Sequence, residues 1–70
     1  MDQHSTYRIE VWGEMDEKDL NASSPVQMAV LRAGPTTMLF SAHTDQSGLI
    51  GLIRHLHGLG LALLSVNREH

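Results

Sequence analysis

Apolar and polar residues alternate along several short segments of the chain. Residues 6–12 place Tyr7, Ile9 and Val11 on one side and polar side chains with Trp12 on the other. Residues 26–32 alternate in the same way, and 36–42 follow after the turn residues 33–35. Such alternation is typical of half-buried strands. The three segments therefore predict three strands, of which the second and third form a hairpin.

In the segment 43–66 the apolar residues first recur with the spacing of a helix rather than that of a strand. This segment predicts a helix followed by a strand. At about 100° per residue, five apolar side chains fall within about one third of the helix circumference and form a core-facing stripe: Leu49, Leu52, Ile53, Leu56 and Leu59. Thr44 or Asp45 can cap the start, since either side chain accepts a hydrogen bond from a first-turn amide. Gly60 is a natural end of the helix. Residues 61–67 then predict a fourth strand.

These elements predict the α+β class with the chain order β-β-β-α-β. The expected architecture is a single mixed four-stranded sheet with one helix packed on one face. The strand-helix-strand run implies a crossover that makes the third and fourth strands parallel. The 70 residues have room for one small domain, residues 1–70. The polar, acidic residues 13–25 predict a long surface loop.

Composition narrows the function classes. Five Lys and Arg are scattered singly among eight Asp and Glu, and the formal net charge is −3. A nucleic-acid partner is therefore not favoured. A membrane surface is not favoured either, because the predicted helix carries one arginine and no lysine. There is no cysteine and no run of 18 apolar residues. We expect a non-exported, cytoplasmic protein.

The residues that could carry catalysis or a metal are dispersed. His55 and His57 point about 160° apart on a helix, so they cannot share one ion within a subunit. His43 would meet His4 or His70 only through an accident of the fold. No metal site, no cofactor and no catalytic residues are expected, and an enzyme is not favoured.

The face of the sheet opposite the helix predicts a self-association surface. One helix covers only part of one face. We expect the other face to present several apolar side chains: Trp12, Ala29, Leu31, Leu39 and Leu63. Such a patch predicts a homodimer joined through the sheet, with Trp12 as its anchor. The alternative is that Trp12 folds over the acidic loop and shields its own sheet.

The helix also carries small residues along one edge. Gly48, Gly51 and Gly58 fall beside His55 on the helix surface. A glycine inside a helix costs about 0.5–1 kcal/mol relative to alanine. The flat edge is explained if another backbone approaches it closely, either a strand of the same sheet or a helix of a second subunit. We therefore include Gly51 and His55 in the expected interface. Tolerated glycines in a frayed last turn are the alternative.

The segment TDQSGLIGLIRHLHGLGLALLSVNR, residues 44–68, resembles a family of short, uncharacterised bacterial proteins. The resemblance rests on an Asp-Gln pair that caps a helix, a Leu-x-Gly step within it, a Leu-Gly-Leu end and a strand with Leu-Ser-Val. It implies a fold type and no chemistry.

The same stretch is more loosely similar to the first strand, helix and strand of ACT domains, which are regulatory modules that bind amino acids at dimer interfaces. Asp45, Gly48 and Leu49 match the spacing Asp-x-x-Gly-Leu. The 70 residues do not contain the remaining strands and helix of an ACT domain. The resemblance implies a ligand site near His43, Asp45, Gln46 and Gly48. A plain helix cap at Asp45 is the alternative.

Together these observations favour a non-enzymatic homo-oligomeric interaction or regulatory module whose partner is a second copy, another protein or a small molecule. The alternative is a small-ligand-binding, ACT-like module with its site at the dimer seam near residues 45–48.

Overall fold

Four strands and two helices make up the part of the chain that the computed structural model describes, residues 3–69. Their bounds are β1 Ser5–Trp12, α1 Glu17–Asn21, β2 Met28–Ala33, β3 Thr37–Thr44, α2 Gln46–Gly58 and β4 Ala62–Arg68. The α+β class, the four strands and the β2–β3 hairpin are confirmed. Within residues 3–69, no helix is both long enough and apolar enough to cross a bilayer.

The sheet has the spatial order β2-β3-β1-β4, and every neighbouring pair is antiparallel. The predicted mixed sheet is therefore wrong. β3 and β4 do run in the same direction, but β1 lies between them and pairs with both. The reason is that the α2 crossover steps over one strand. The alternating apolar residues of β1 thereby reach the middle of the sheet, where they are covered best.

The core lies on one face of this sheet. On the predicted apolar side of β1, Ile9 and Val11 are buried and Tyr7 is partly buried, and both helices cover this face. The buried hydrophobic residues are Ile9, Val11, Leu20, Met28, Met38, Phe40, Ala42, Leu52, Leu56 and Leu61. We call the opposite side of the sheet the open face.

Helix α1 was not predicted, because its segment reads as an acidic loop. Asp16 is the N-cap, and its carboxylate accepts a hydrogen bond from the Lys18 amide at 3.3 Å. Leu20 is completely buried. A helix of five residues is not stable by itself. The packing of Leu20 and the hydrogen bonds of Asn21 and Glu17 to β2 hold α1 in place.

Helix α2 agrees with its prediction. Asp45 rather than Thr44 is the N-cap, and its carboxylate accepts from the Gly48 amide at 2.7 Å. Leu52 and Leu56 of the predicted stripe are buried. Gly60 follows the helix with φ +84°, the left-handed conformation that glycine adopts at helix ends.

Both edge strands contain a β-bulge that alternation did not reveal. In β2, the partners of β3 skip from Val30 to Arg32, which leaves Leu31 unpaired. In β4, the partners of β1 skip from Ser65 to Leu63, which leaves Leu64 as the extra residue. Because a bulge resets the alternation, Leu63 lies opposite Val11 and therefore shares the helix-bearing face. Its predicted place on the open face is wrong.

The open face is mixed rather than apolar. Trp12 lies on it, 55% exposed, between its cross-strand neighbours Thr37 and Ala62. It does not fold over the acidic segment. The register also places charged and polar side chains on this face, next to Ala29 and Leu39: Arg8, Glu10, Ser41 and His43. The continuous apolar patch expected here is therefore absent from the described residues.

Candidate functional site

The outer edge of β2 is covered by side chains of α1. The side-chain Nδ2 of Asn21 donates to the backbone carbonyl of Met28 at 3.0 Å, and the backbone amide of Met28 donates to Asn21 Oδ1 at 2.7 Å. The Glu17 carboxylate accepts from the Val30 amide at 3.0 Å. In an antiparallel strand, alternate residues turn their backbone groups away from the neighbour. Asn21 and Glu17 thus take the positions that another strand would occupy, and we call this the covered edge.

The outer edge of β4 has no such cover in the described chain. β4 pairs with β1 alone. Beyond the strand end, the Glu69 amide donates to the Thr6 carbonyl at 2.8 Å, so alternation turns the backbone groups of Val66 and Arg68 away from β1. Within residues 3–69, no side-chain hydrogen bond reaches these groups. We call this the free edge.

An apolar groove runs beside the free edge, between α2 and the start of β4. Its volume is about 320 Å³, and it is lined by Ile53, Arg54, Leu56, His57, Leu61, Ala62 and Leu63. Leu63 is 46% exposed and the bulge residue Leu64 is 51% exposed. Hydrogen-bonding backbone and apolar side chains therefore lie side by side on this part of the molecule.

A second groove lies near the covered edge and has a different character. Its volume is about 490 Å³, and its lining combines Met15, Val30, Ala33 and Met38 with Glu14, Asp16 and Glu17. The Met15 amide lies 3.2 Å from the Met38 sulfur. Four acidic residues, Glu14, Asp16, Glu17 and Asp19, thus lie in or beside α1, whereas Arg54 and His57 lie beside the free edge.

Two of the four residues expected to bind a ligand, Asp45 and Gly48, form the cap of α2. The Asp45 carboxylate already accepts the Gly48 amide. Gly48 packs so closely on Thr44 that a Cβ atom here would overlap the threonine hydroxyl. Gln46 is exposed at the first position of α2. This arrangement supports the plain helix cap that was the alternative.

His43 lies apart from this cap and joins a polar cluster on the open face. Its Nδ1 atom is 3.0 Å from Thr6 Oγ1. The centroid of its ring is 5.7 Å from that of His4. The pairing of β1 with β3 causes this contact, so the fold does bring His4 and His43 together. His70 lies outside the described residues.

The residues expected in an interface do not form one surface. Trp12 is on the open face, Leu31 is in the β2 bulge and Leu63 is in the groove. Gly51 faces Pro25, whose Cγ would be 3.7 Å from an added Cβ atom. His55 Nε2 lies 3.0 Å from the Leu20 carbonyl. Gly51 and His55 therefore face their own chain, whereas a Cβ atom added at Gly58 would meet nothing within 4 Å.

Sequence reasoning missed the residues that decide which edge is available. Asn21 and Glu17 gave no signal, because a polar residue in an acidic segment is indistinguishable from a loop residue. The adjacent leucines Leu63 and Leu64 did carry a signal, since two neighbouring apolar residues break strand alternation and indicate a bulge. Within residues 3–69, no three His, Cys, Asp or Glu side chains are grouped to hold a metal ion.

Comparison with known proteins identifies the family and no activity. No curated protein and no solved structure matches the chain. Nothing in the comparisons supports the resemblance to the short bacterial proteins or to ACT domains. A family model described as a domain of unknown function, DUF8691, matches residues 6–67, which extend from β1 into β4. Since the model covers most of the chain, the protein belongs to the DUF8691 family.

Proposed function

We propose that the protein is a non-enzymatic interaction module that acts as a homodimer, with two copies joined along β4. The observation that carries the proposal is the free edge, whose backbone groups point outward while those of β2 are covered by Asn21 and Glu17. An unpaired strand edge is a template for another strand. A second copy of β4 fits it and extends the sheet to eight strands.

Symmetry supports a second copy as the occupant. An antiparallel pair of identical strands obeys a two-fold axis, so each copy offers and receives the same contacts. An axis near Leu64 brings Leu63 and Leu64 of both copies to the centre. Burying the exposed half of these two side chains stabilises the pair by about 1.5–3 kcal/mol per copy. Each added backbone hydrogen bond contributes about 0.5–1.5 kcal/mol more.

The charge distribution agrees with this arrangement. The acidic residues around α1 lie near the covered edge, across the sheet from β4. Pairing along β4 therefore keeps the acidic groups around α1 of the two copies apart, and Glu69, which follows β4, is paired with Arg8 of its own chain. Pairing through the open face instead buries Arg8 and Glu10, which costs desolvation energy.

Two further expectations concern ligand binding and the cellular compartment. The ligand-binding alternative gains no support, because Asp45 and Gly48 already satisfy each other. We place the module in the cytoplasm. The absence of cysteine favours that compartment, since exported domains of this size are commonly held by disulfides.

Leu64→Lys tests the proposal, and Leu31→Lys is its matched control. Both leucines are the extra residue of a bulge on an edge strand, and Leu31 is 49% exposed, close to the value for Leu64. Lysine at 64 places two charges at the dimer centre and should weaken association by at least about 100-fold. Lysine at 31 should leave it unchanged.

Sedimentation equilibrium at micromolar concentrations measures both variants beside the unchanged chain and Trp12→Ala. The expected mass is twice 7.8 kDa for every protein except Leu64→Lys. A monomeric unchanged chain overturns the proposal. Equal loss in Leu64→Lys and Leu31→Lys also overturns it, and dissociation of Trp12→Ala alone moves the interface to the open face.

A further inference from the structure

Two imidazole rings meet on the open face, at the end of the sheet where β1 begins and β3 ends. Thr6 is paired with His43 and shares its face, and the ring of His4, which directly precedes β1, lies near that of His43. The ring centroids are 5.7 Å apart and the planes are inclined by 32°. Both histidines are exposed, and neither belongs to the core.

We infer that His4 and His43 form a binding site for a divalent transition-metal ion such as Ni²⁺, Zn²⁺ or Cu²⁺. Neutral imidazole nitrogen suits these ions, whereas Mg²⁺ and Ca²⁺ prefer oxygen ligands. Rings at this separation can turn one nitrogen each toward a common ion.

Thr6 supplies the outer contact that such a site needs. When the proton of His43 is on Nδ1, this atom donates to Thr6 Oγ1 across 3.0 Å and leaves the Nε2 lone pair free for the metal. A hydrogen bond on the second ring nitrogen orients metal-binding histidines in the same way. In this tautomer the threonine orients the His43 ring and leaves Nε2 available to the metal.

The surroundings tolerate a cation. Arg8 lies on the same face but forms an ion pair with Glu69, which compensates its charge. Among residues 3–69, no third ligand of the usual types joins the two histidines. Water completes the coordination, so the ion exchanges with solvent and binds with the modest affinity of a two-histidine site.

Titration of the full, untagged chain with NiCl₂, followed by calorimetry and by the NMR signals of the imidazoles, tests the site. His4→Gln and His43→Gln should each weaken Ni²⁺ binding by at least about tenfold, because each removes one of two ligands. His57→Gln is the control, since His57 is an exposed histidine on α2. It should change the affinity less than twofold. Thr6→Val should weaken binding by a smaller factor than either ligand variant, about tenfold at most.

Circular dichroism checks that the variants remain folded. Unchanged Ni²⁺ affinity in the His4→Gln/His43→Gln double variant overturns the inference. So does a loss confined to one of the two single variants, because it shows a single-histidine contact. Leu64→Lys should retain Ni²⁺ binding, so the result does not depend on whether the chain dimerises.

Discussion

Each of the two edge strands has a leucine as the extra residue of its bulge, but the two strands differ in what covers their backbone. Leu31 in β2 and Leu64 in β4 are each left unpaired by the register and are exposed to almost the same degree. Beside Leu31, Asn21 and Glu17 bind the outward backbone groups. Beside Leu64, the described chain provides an apolar groove instead. Exposed hydrophobic area alone does not distinguish the two edges, whereas the hydrogen-bonding state of the backbone does.

The difference assigns a purpose to α1. A helix of five residues with one buried side chain adds little to the core. Its hydrogen bonds to Met28 and Val30 occupy the backbone groups through which an exposed edge pairs with other chains. Within residues 3–69 no equivalent helix covers β4, and in the proposed dimer this edge is the one direction of association, which gives a closed pair.

The largest effect on the covered edge is expected from Asn21→Ala. The change leaves the amide and carbonyl of Met28 without their partner and should lower the free energy of unfolding by about 2 kcal/mol. Urea denaturation measures it. Asn67→Ala is the control, since Asn67 is an exposed residue of β4. Equal effects of the two variants would remove the special role of Asn21.

The free edge should respond to Val66→Pro. Proline removes the amide hydrogen that points away from β1 and is tolerated at such edge positions. The dimer should dissociate at least about tenfold more readily than that of Val66→Ala, which loses side-chain contacts but keeps the amide. Analytical ultracentrifugation compares the two dissociation constants. Identical constants would show that the β4 backbone makes no contact between copies.

Glu17→Ala should have a smaller effect on the covered edge. It removes the acceptor of the Val30 amide, and because the carboxylate is exposed we expect a loss of about 1 kcal/mol or less. The Val30 amide should exchange its hydrogen faster. Glu17→Gln keeps an acceptor oxygen and should restore most of the protection. Slow exchange of Val30 in Glu17→Ala would contradict the proposed cover.

Gly51→Ala should produce the smallest change and tests the interface expected from the glycine edge. An added Cβ atom meets Pro25 at ordinary contact distance, so the gain in helix propensity should stabilise the chain by about 0.5 kcal/mol. Dimerisation should not change. Thermal denaturation and sedimentation measure the two effects, and dissociation of the dimer would place Gly51 between the copies.

The regular part of the fold was predictable from sequence because local periodicity determines it. Ile9 and Val11 mark the buried side of β1, Leu52 and Leu56 mark that of α2, and Asp45 marks the helix start. These features depend on neighbours within a few residues. The central position of β1 depends on contacts with distant segments and was not predictable from alternation.

The candidate site was predictable only in its components. Leu63 was singled out but placed on the wrong face, because the bulge at Leu64 shifts the register by one residue. His43 was singled out as well, but its contacts with Thr6 and His4 follow from the pairing of β1 with β3. The cover of β2 depends on the orientation of single polar side chains in α1, and no periodic pattern records it.

The central position of β1 also constrains how the chain acquires its structure during synthesis. β1 is translated before the other described strands, yet Tyr7 is paired with Ala42 on one side and with Arg68 on the other. Its second neighbour does not exist until β4 has been made. The apolar residues of β1 therefore remain without their full set of strand neighbours until β4 has been translated. Closure of the sheet therefore depends on contacts between residues far apart in sequence, and we expect it to be slower than the folding of a helical protein of the same length.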